Sequence, residues 1–146
     1  MNRLLHKVAF IAPGGKNLRP WLHRRRAVQI GQNIWISQPV YIDELHAGHI
    51  TIGDNSTIGL RTSIFSHFYW GPRRENNHGK VVIEDNVFVG PHCVILPNVR
   101  IGAGAIVSAG AVVRKHVPDG VLVIGNPAME RRFNPRVSSL NVEDGE

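Results

Sequence analysis

From Ile83 to Val113 a branched aliphatic residue returns at every sixth position: Ile83, Val89, Ile95, Ile101, Val107, Val113. Four residues after each stands a second, smaller site, filled by Val87, Cys93, Val99, Ala105, Ala111 and Val117. Between them lie turn-formers and small polar residues, as in Glu84-Asp85-Asn86 and Gly102-Ala103-Gly104. A period of six fits neither the roughly 3.6 residues of a helical turn nor a two-residue alternation. It predicts a hexapeptide β-helix, in which each unit is one short side of a triangular coil and about eighteen residues close a turn. The branched residues point inward and stack into one apolar column.

The pattern extends backwards. Ile52, Ile58 and Ile64 keep the spacing, with Ser56 and Thr62 at the companion sites; Ile30, Ile36 and Ile42 keep it again, with Ile34 and Val40. The spacing therefore predicts four coils over residues 30–47, 52–69, 83–100 and 101–118, with apolar Val121 to Ile124 as a last strand. The count breaks between Ile42 and Ile52 and between Ile64 and Ile83. Interruptions of a repeat become loops on one face, and such loops often carry function. The organisation is a cap segment over 1–29, a β-helix over 30–128 with an inserted loop at 65–82, and a tail over 129–146.

Before the first coil, residues 1–15 are apolar but irregular and end in Pro13-Gly14-Gly15. Residues 16–26 read as a short helix capped by Asn17, with Leu18, Trp21 and Leu22 on its apolar side and arginines on the rest. Such a segment can seal the open end of a solenoid. It can also rest, as a basic amphipathic element, on a membrane or an acidic polymer.

Charge sharpens this choice. The 146 residues carry a formal net charge of +6. The cations cluster before the first coil, at Arg73, Arg74 and Lys80, at Arg114 and Lys115, and at Arg131, Arg132 and Arg136. Clustered cations favour an anionic partner such as nucleotide phosphates, nucleic acid or an acidic bilayer. The single cysteine, Cys93, excludes an internal disulfide framework and occupies a slot that wants a small inward side chain. No run approaches the length of a membrane span, and Val8 to Ala12 is too short for a signal-peptide core. A cytoplasmic location is the expectation.

The densest chemistry lies in the long loop, FSHFYWGPRRENNHGKVV. His67 follows inward Ile64 by three residues, where a rigid wall hands over to the loop. Imidazole is the side chain best suited to accept a proton near neutral pH. His78 is the alternative base in the same loop. Tyr69 and Trp70 offer stacking surfaces for a ligand, or an anchor for the loop. His46 and His49, in the smaller excursion, read as surface residues. Zinc needs three or four protein ligands, and the sequence places no carboxylate or cysteine conveniently beside them. His92 and His116 read as edge residues of the coils.

The run VVIEDNVFVGPHCVILPNVRIGAGAIVSAGAVVRKHVPDGVLVIGNPA, with the histidine-bearing loop before it, resembles the hexapeptide-repeat acyltransferases. Among them it is similar to the sugar O-acetyltransferases of galactoside, maltose, nodulation-factor and colanic-acid type. LRPWLHRRRAVQIGQNIWI resembles the entry segment of the exopolysaccharide members, so the likeness covers residues 16–133. The resemblance implies a left-handed parallel β-helix and a homotrimer with active sites between subunits. It also implies direct acetyl transfer from acetyl-CoA to a sugar or glycan hydroxyl in polysaccharide biosynthesis, with no metal and no nucleic acid.

By the same resemblance His67 is the catalytic base, and a backbone N–H near the coil edge holds the oxyanion. Ala109 meets the pantetheine arm, Arg114, Lys115 and Arg132 meet the phosphates, and Asn126 lies beside the cofactor channel. Phe88 stands where many relatives have tryptophan, keeping the hydrophobic wall without the indole N–H. Pro91 removes one backbone donor. Tyr69, Trp70 and His78 fall to the acceptor. N-acetylation of an amino-sugar is a close variant. A different enzyme class with a β-helix, the zinc-dependent γ-type carbonic anhydrases, pairs histidines five residues apart, a spacing missing here. A third reading is a trimeric scaffold that binds an acidic polymer or membrane without catalysis.

Overall fold

The computed structural model describes residues 2–68 and 78–131. Strands of two or three residues fall into three sheets, one for each side of a triangular prism. The first side holds Gln29–Ile30, Ile50–Ile52, Val81–Ile83 and Val99–Ile101. The second holds Trp35–Ile36, Thr57–Ile58, Phe88–Val89, Ile106–Val107 and Leu122–Ile124. The third holds Tyr41–Ile42, Ser63–Ile64, Val94–Ile95 and Val112–Val113. Neighbours within each side pair in parallel, and Met129–Arg131 folds back antiparallel on Leu122–Ile124. This is the hexapeptide β-helix that the period of six predicted, parallel and of the left-handed kind that the resemblance implied, with four full coils and a partial fifth among the described residues.

The inward columns stay in register through both interruptions. Ile42 lies beside Ile64, Ile64 beside Ile95 and Ile95 beside Val113. Each is 1 % exposed or less. The companion sites are buried too, including Cys93, whose thiol pKa is pushed up by burial. Where the companion is polar, its hydroxyl has backbone to satisfy. Thr62 Oγ1 donates to Gly90 O (2.9 Å) and accepts from Cys93 N (3.3 Å); Ser56 Oγ does the same for Glu84 O and Val87 N. One corner column is left-handed throughout: Asn33, Asn55 and Asn86 at φ 53°, 56° and 58°, then Gly104 and Gly120 at 68° and 67°. Asparagine and glycine are the residues that tolerate that conformation most readily.

The N-terminal segment departs from the sequence reading. Residues 2–11 are not irregular but form a helix, α1 (Asn2–Ile11), packed against α2 (Leu18–Arg25) through Ala9, Ala12 and Leu22. Asn17 occupies the cap position of α2, yet its side chain makes no capping bond. The expected apolar side of α2 is also rotated. Leu18 and Trp21 are exposed (40 % and 49 %), whereas Arg19 is buried at 5 %.

The reason lies in the open edge of the first coil. In the second coil the carbonyls of Ile52, Ile58 and Ile64 accept the N–H groups of Gly31, Ser37 and Asp43. No coil precedes Ile30, Ile36 and Ile42 to do the same. Three arginines replace it, one for each side of the prism: Arg24 Nε to Ile30 O (3.1 Å), Arg19 Nε to Ile36 O (2.8 Å) and Arg26 Nη2 to Ile42 O (3.1 Å). A buried carbonyl without a partner is costly, so guanidinium donors outrank leucine and tryptophan for the inward positions.

Candidate active site

Asp43 closes the third side of the first coil, after which the chain leaves on an excursion that ends in a 3₁₀ turn, Ala47–His49. Asp43 is fully buried. Its Oδ1 accepts from the backbone N–H of Leu45 (2.9 Å) and His46 (3.1 Å). Its Oδ2 accepts from Ser66 N (2.9 Å), His67 N (3.1 Å) and His67 Nδ1 (2.5 Å). Burial alone would raise the carboxyl pKa. The backbone donors of His46, Ser66 and Leu45, joined by the His67 ring, outweigh it and hold the pKa below its ordinary value. An ionised carboxylate only accepts, so Nδ1 carries the proton and the basic lone pair of His67 sits on Nε2. His67 itself is 8 % exposed.

The reading of His46 and His49 as surface residues is corrected. The excursion folds back beside the long loop, tied by Ser66 Oγ to His46 O (2.9 Å) and Gly79 N to Ser66 O (2.7 Å). The His46 ring centroid lies 5.7 Å from that of His67 and 4.8 Å from that of His78, and His49 lies 4.7 Å from His78. Burial, then the neighbouring charge of His78, lowers the His46 pKa. His78 forms an antiparallel bridge with His67, which places both candidate bases at one locus. Among the described residues no three such side chains are arranged to hold a metal ion. The carboxylate nearest this cluster, Asp43, is committed to His67.

The other predicted residues lie elsewhere on the prism. Phe88 points outward from the second side, 48 % exposed. The backbone of Ala109 passes so close to Gly90 that a Cβ there would come within 2.7 Å of Ala109 N. Asn126 is exposed in the turn beyond Gly125, whose carbonyl accepts from Val112 N at 3.0 Å. These three group around the corner where the third side begins. His67 sits at the corner where that side ends, and exposed Arg114 and Lys115 reach the same edge two coils further on. One chain therefore keeps His67 apart from Phe88, Ala109 and Asn126. Tyr69, Trp70 and Arg132 lie outside the described residues. His92 and His116 are exposed on the coils, the latter accepting from Arg100 N (2.9 Å).

A cavity of about 480 Å³ opens on the outer face of the third side, lined by Phe10 of α1, Tyr41, Glu44, Arg61, Ser63 and Phe65 among others; neither Asp43 nor His67 lines it. Glu44 follows Asp43, and Phe65 precedes His67 by two residues. The rings of Tyr41 and Phe65 lie 5.3 Å apart. Aromatic faces with one carboxylate and one guanidinium offer stacking and directional hydrogen bonds to a polyhydroxylated ligand.

Asp43 escaped the sequence reading because its contact spans an interruption. The available signal was positional, since Asp43 follows Ile42 directly and Ile42 is the register neighbour of Ile64.

Comparison with known proteins agrees with this architecture. Residues 80–115 match the family model described as bacterial transferase hexapeptide (six repeats). The chain is 40% identical over 111 residues to the YvoF protein of Bacillus subtilis (strain 168), covering 75% of this chain and 63% of that one. It is 33% identical over 128 residues to the galactoside O-acetyltransferase of Lactococcus lactis subsp. lactis (strain IL1403), covering 71% and 62%. The chain thus spans less than two thirds of either relative. A hexapeptide-repeat acetyltransferase of Vibrio cholerae O1 biovar eltor, solved in complex with acetyl coenzyme A, superposes with a TM-score of 0.72 at 28% identity, covering 90% of this chain and 84% of that one.

Proposed function

Because this chain belongs to the hexapeptide-repeat acyltransferase family, we propose that it transfers an acetyl group from acetyl-CoA to a hydroxyl of a sugar or glycan intermediate in polysaccharide biosynthesis. The observation that carries this reading is the buried Asp43–His67 pair at the edge of the third side. His67 Nε2 takes the proton of the acceptor hydroxyl as its oxygen attacks the thioester carbonyl. Asp43 holds the ring in the required tautomer and stabilises the imidazolium that forms. The C–S bond breaks, and the imidazolium returns its proton to the departing thiolate, so no acyl-enzyme is needed. The acceptor takes the cavity beside Tyr41, Glu44, Arg61 and Phe65.

Acetyl-CoA fits the remaining residues. Phe88 offers an exposed apolar wall, the open backbone at Ala109 admits a narrow chain, Asn126 offers an amide, and Arg114 and Lys115 supply cations for phosphates. These residues occupy two different edges, which supports a homotrimer in which His67 of one subunit works beside Phe88 and Ala109 of another.

The experiment is thiol release from acetyl-CoA across a panel of sugars and nucleotide-sugars, with wild type, His67→Ala and His78→Ala in parallel. Loss of at least ~100-fold with His67→Ala alone, as follows on removing a general base, is the expected result. Loss with His78→Ala alone moves the base to that residue. No turnover and no CoA binding by any form overturns the reading in favour of a scaffold.

A further inference from the structure

The first acidic residue of the chain is Asp43, so the whole N-terminal cap carries cations with no counter-charge of its own. Arg19, Arg24 and Arg26 are spent on the open carbonyls of the first coil. Arg3, Lys7, Lys16 and Arg25 are exposed. Among them stand large apolar side chains that the fold does not bury. Leu4, Val8 and Ile11, spaced four and three residues apart, run along one face of α1 and are 66 %, 41 % and 68 % exposed. Lys7 and Arg3 flank that face by helical geometry. The opposite face of α1 is used for packing, through His6 and Ala9. Next in the chain, α2 exposes Leu18 and Trp21, with the Arg25 guanidinium 5.2 Å from the indole.

We infer that this outward face of α1 and α2 docks on an anionic membrane surface. A helix that is apolar on its solvent side, edged by cations and free of acids, matches an interfacial helix rather than a solvated one. Inward, the same segment seals the coil; outward, it is free for a partner. Each cation near an anionic bilayer strengthens partitioning by about fivefold, and the apolar side chains add insertion that salt does not screen. Charge favours lipid over a second copy of this face, because two such faces would bring cations together. The inference concerns attachment and stands independently of the acetyl-transfer reading.

The test is co-sedimentation of the full chain with vesicles of phosphatidylcholine alone and of phosphatidylcholine doped with phosphatidylglycerol. Binding should be at least ~10-fold stronger to the anionic vesicles and fall by a similar factor in Arg3→Glu/Lys7→Glu and in Leu4→Ser/Ile11→Ser. All four positions are on the surface, and thermal melting confirms that the variants fold. Brominated lipid should quench tryptophan fluorescence in the wild type and much less in Trp21→Phe. Equal or absent binding to both vesicles overturns the inference. Binding unchanged in Leu4→Ser/Ile11→Ser, and competed by a soluble polyanion, means an acidic polymer is the partner instead. A change in the sedimentation coefficient of vesicle-free Leu4→Ser/Ile11→Ser means the face is a subunit contact.

Discussion

Asp43 Oδ2 lies 2.5 Å from His67 Nδ1 and at the same time accepts the backbone N–H groups of Ser66 and His67. The carboxylate is thus immobilised by the strand end that presents the imidazole. Asp43→Asn removes the charge and lets the ring adopt the wrong tautomer. The expected result is a kcat fall of roughly 100-fold or more with KM for acetyl-CoA little changed, measured by thiol release.

Behind Asp43 stands Arg26, 3 % exposed, whose Nη2 donates to Asp43 O (2.6 Å) and Ile42 O and whose Nη1 meets His23 Nδ1 (2.9 Å). Arg26 positions the backbone from which the carboxylate hangs. Arg26→Ala should lower kcat about 10-fold or more with a smaller effect on KM, as expected when a supporting contact of a reacting group is lost. Added guanidinium ion should recover part of the rate. Recovery of the rate by guanidinium separates positioning from a general loss of stability.

His23 is 1 % exposed, and burial, followed by the Arg26 charge, lowers its pKa from 6.5 to about 3. The unfolded chain binds this proton more tightly than the folded one between those values. Stability from His23 is therefore complete above the unfolded pKa and declines as pH falls through the window, by up to about 1.4 kcal/mol per pH unit. Urea unfolding of the wild type at pH 7.5, 5.5 and 4.5 should show this loss. His23→Gln, which keeps an acceptor for Arg26 without titrating, should flatten it.

Thr62→Val tests the polar companion sites. The change keeps shape but strands Gly90 O and Cys93 N, both bonded to the hydroxyl. Destabilisation of about 1–3 kcal/mol is expected from urea midpoints, the cost of unmet buried backbone groups.

Mixing subunits tests the division of the site between edges. His67→Ala and Ala109→Trp should each be inactive alone. If the proposed homotrimer forms, co-refolding should recover a substantial fraction of wild-type turnover, because mixed trimers would contain junctions where both intact surfaces meet. No recovery would place the whole site within one chain.

Much of this protein is legible in its residue order. The period of six specified the three sides, the inward columns and the coil count, because each inward residue must meet its equivalent one turn away. A local pattern and a lattice-like packing rule are then the same information. The buried role of Cys93 followed for the same reason, and so did the position of His67 at the end of a wall.

Other features depended on contacts that no local pattern encodes. Asp43 reaches His67 across an interruption, so the carboxylate that orients the base was visible only once the coils were stacked. His46 and His49 look solvated in sequence and meet His67 and His78 because two loops share one edge. Arg19, Arg24 and Arg26 turned toward the first coil because it has no predecessor to bond its carbonyls, a need set by where the solenoid ends rather than by helical periodicity. The sequence by itself determined the repeat and hence the scaffold, since that information is local and redundant. The tertiary structure decided the orientation of the dyad, the imidazole cluster and the arginine edge, since each satisfies polar groups that only folding removes from water.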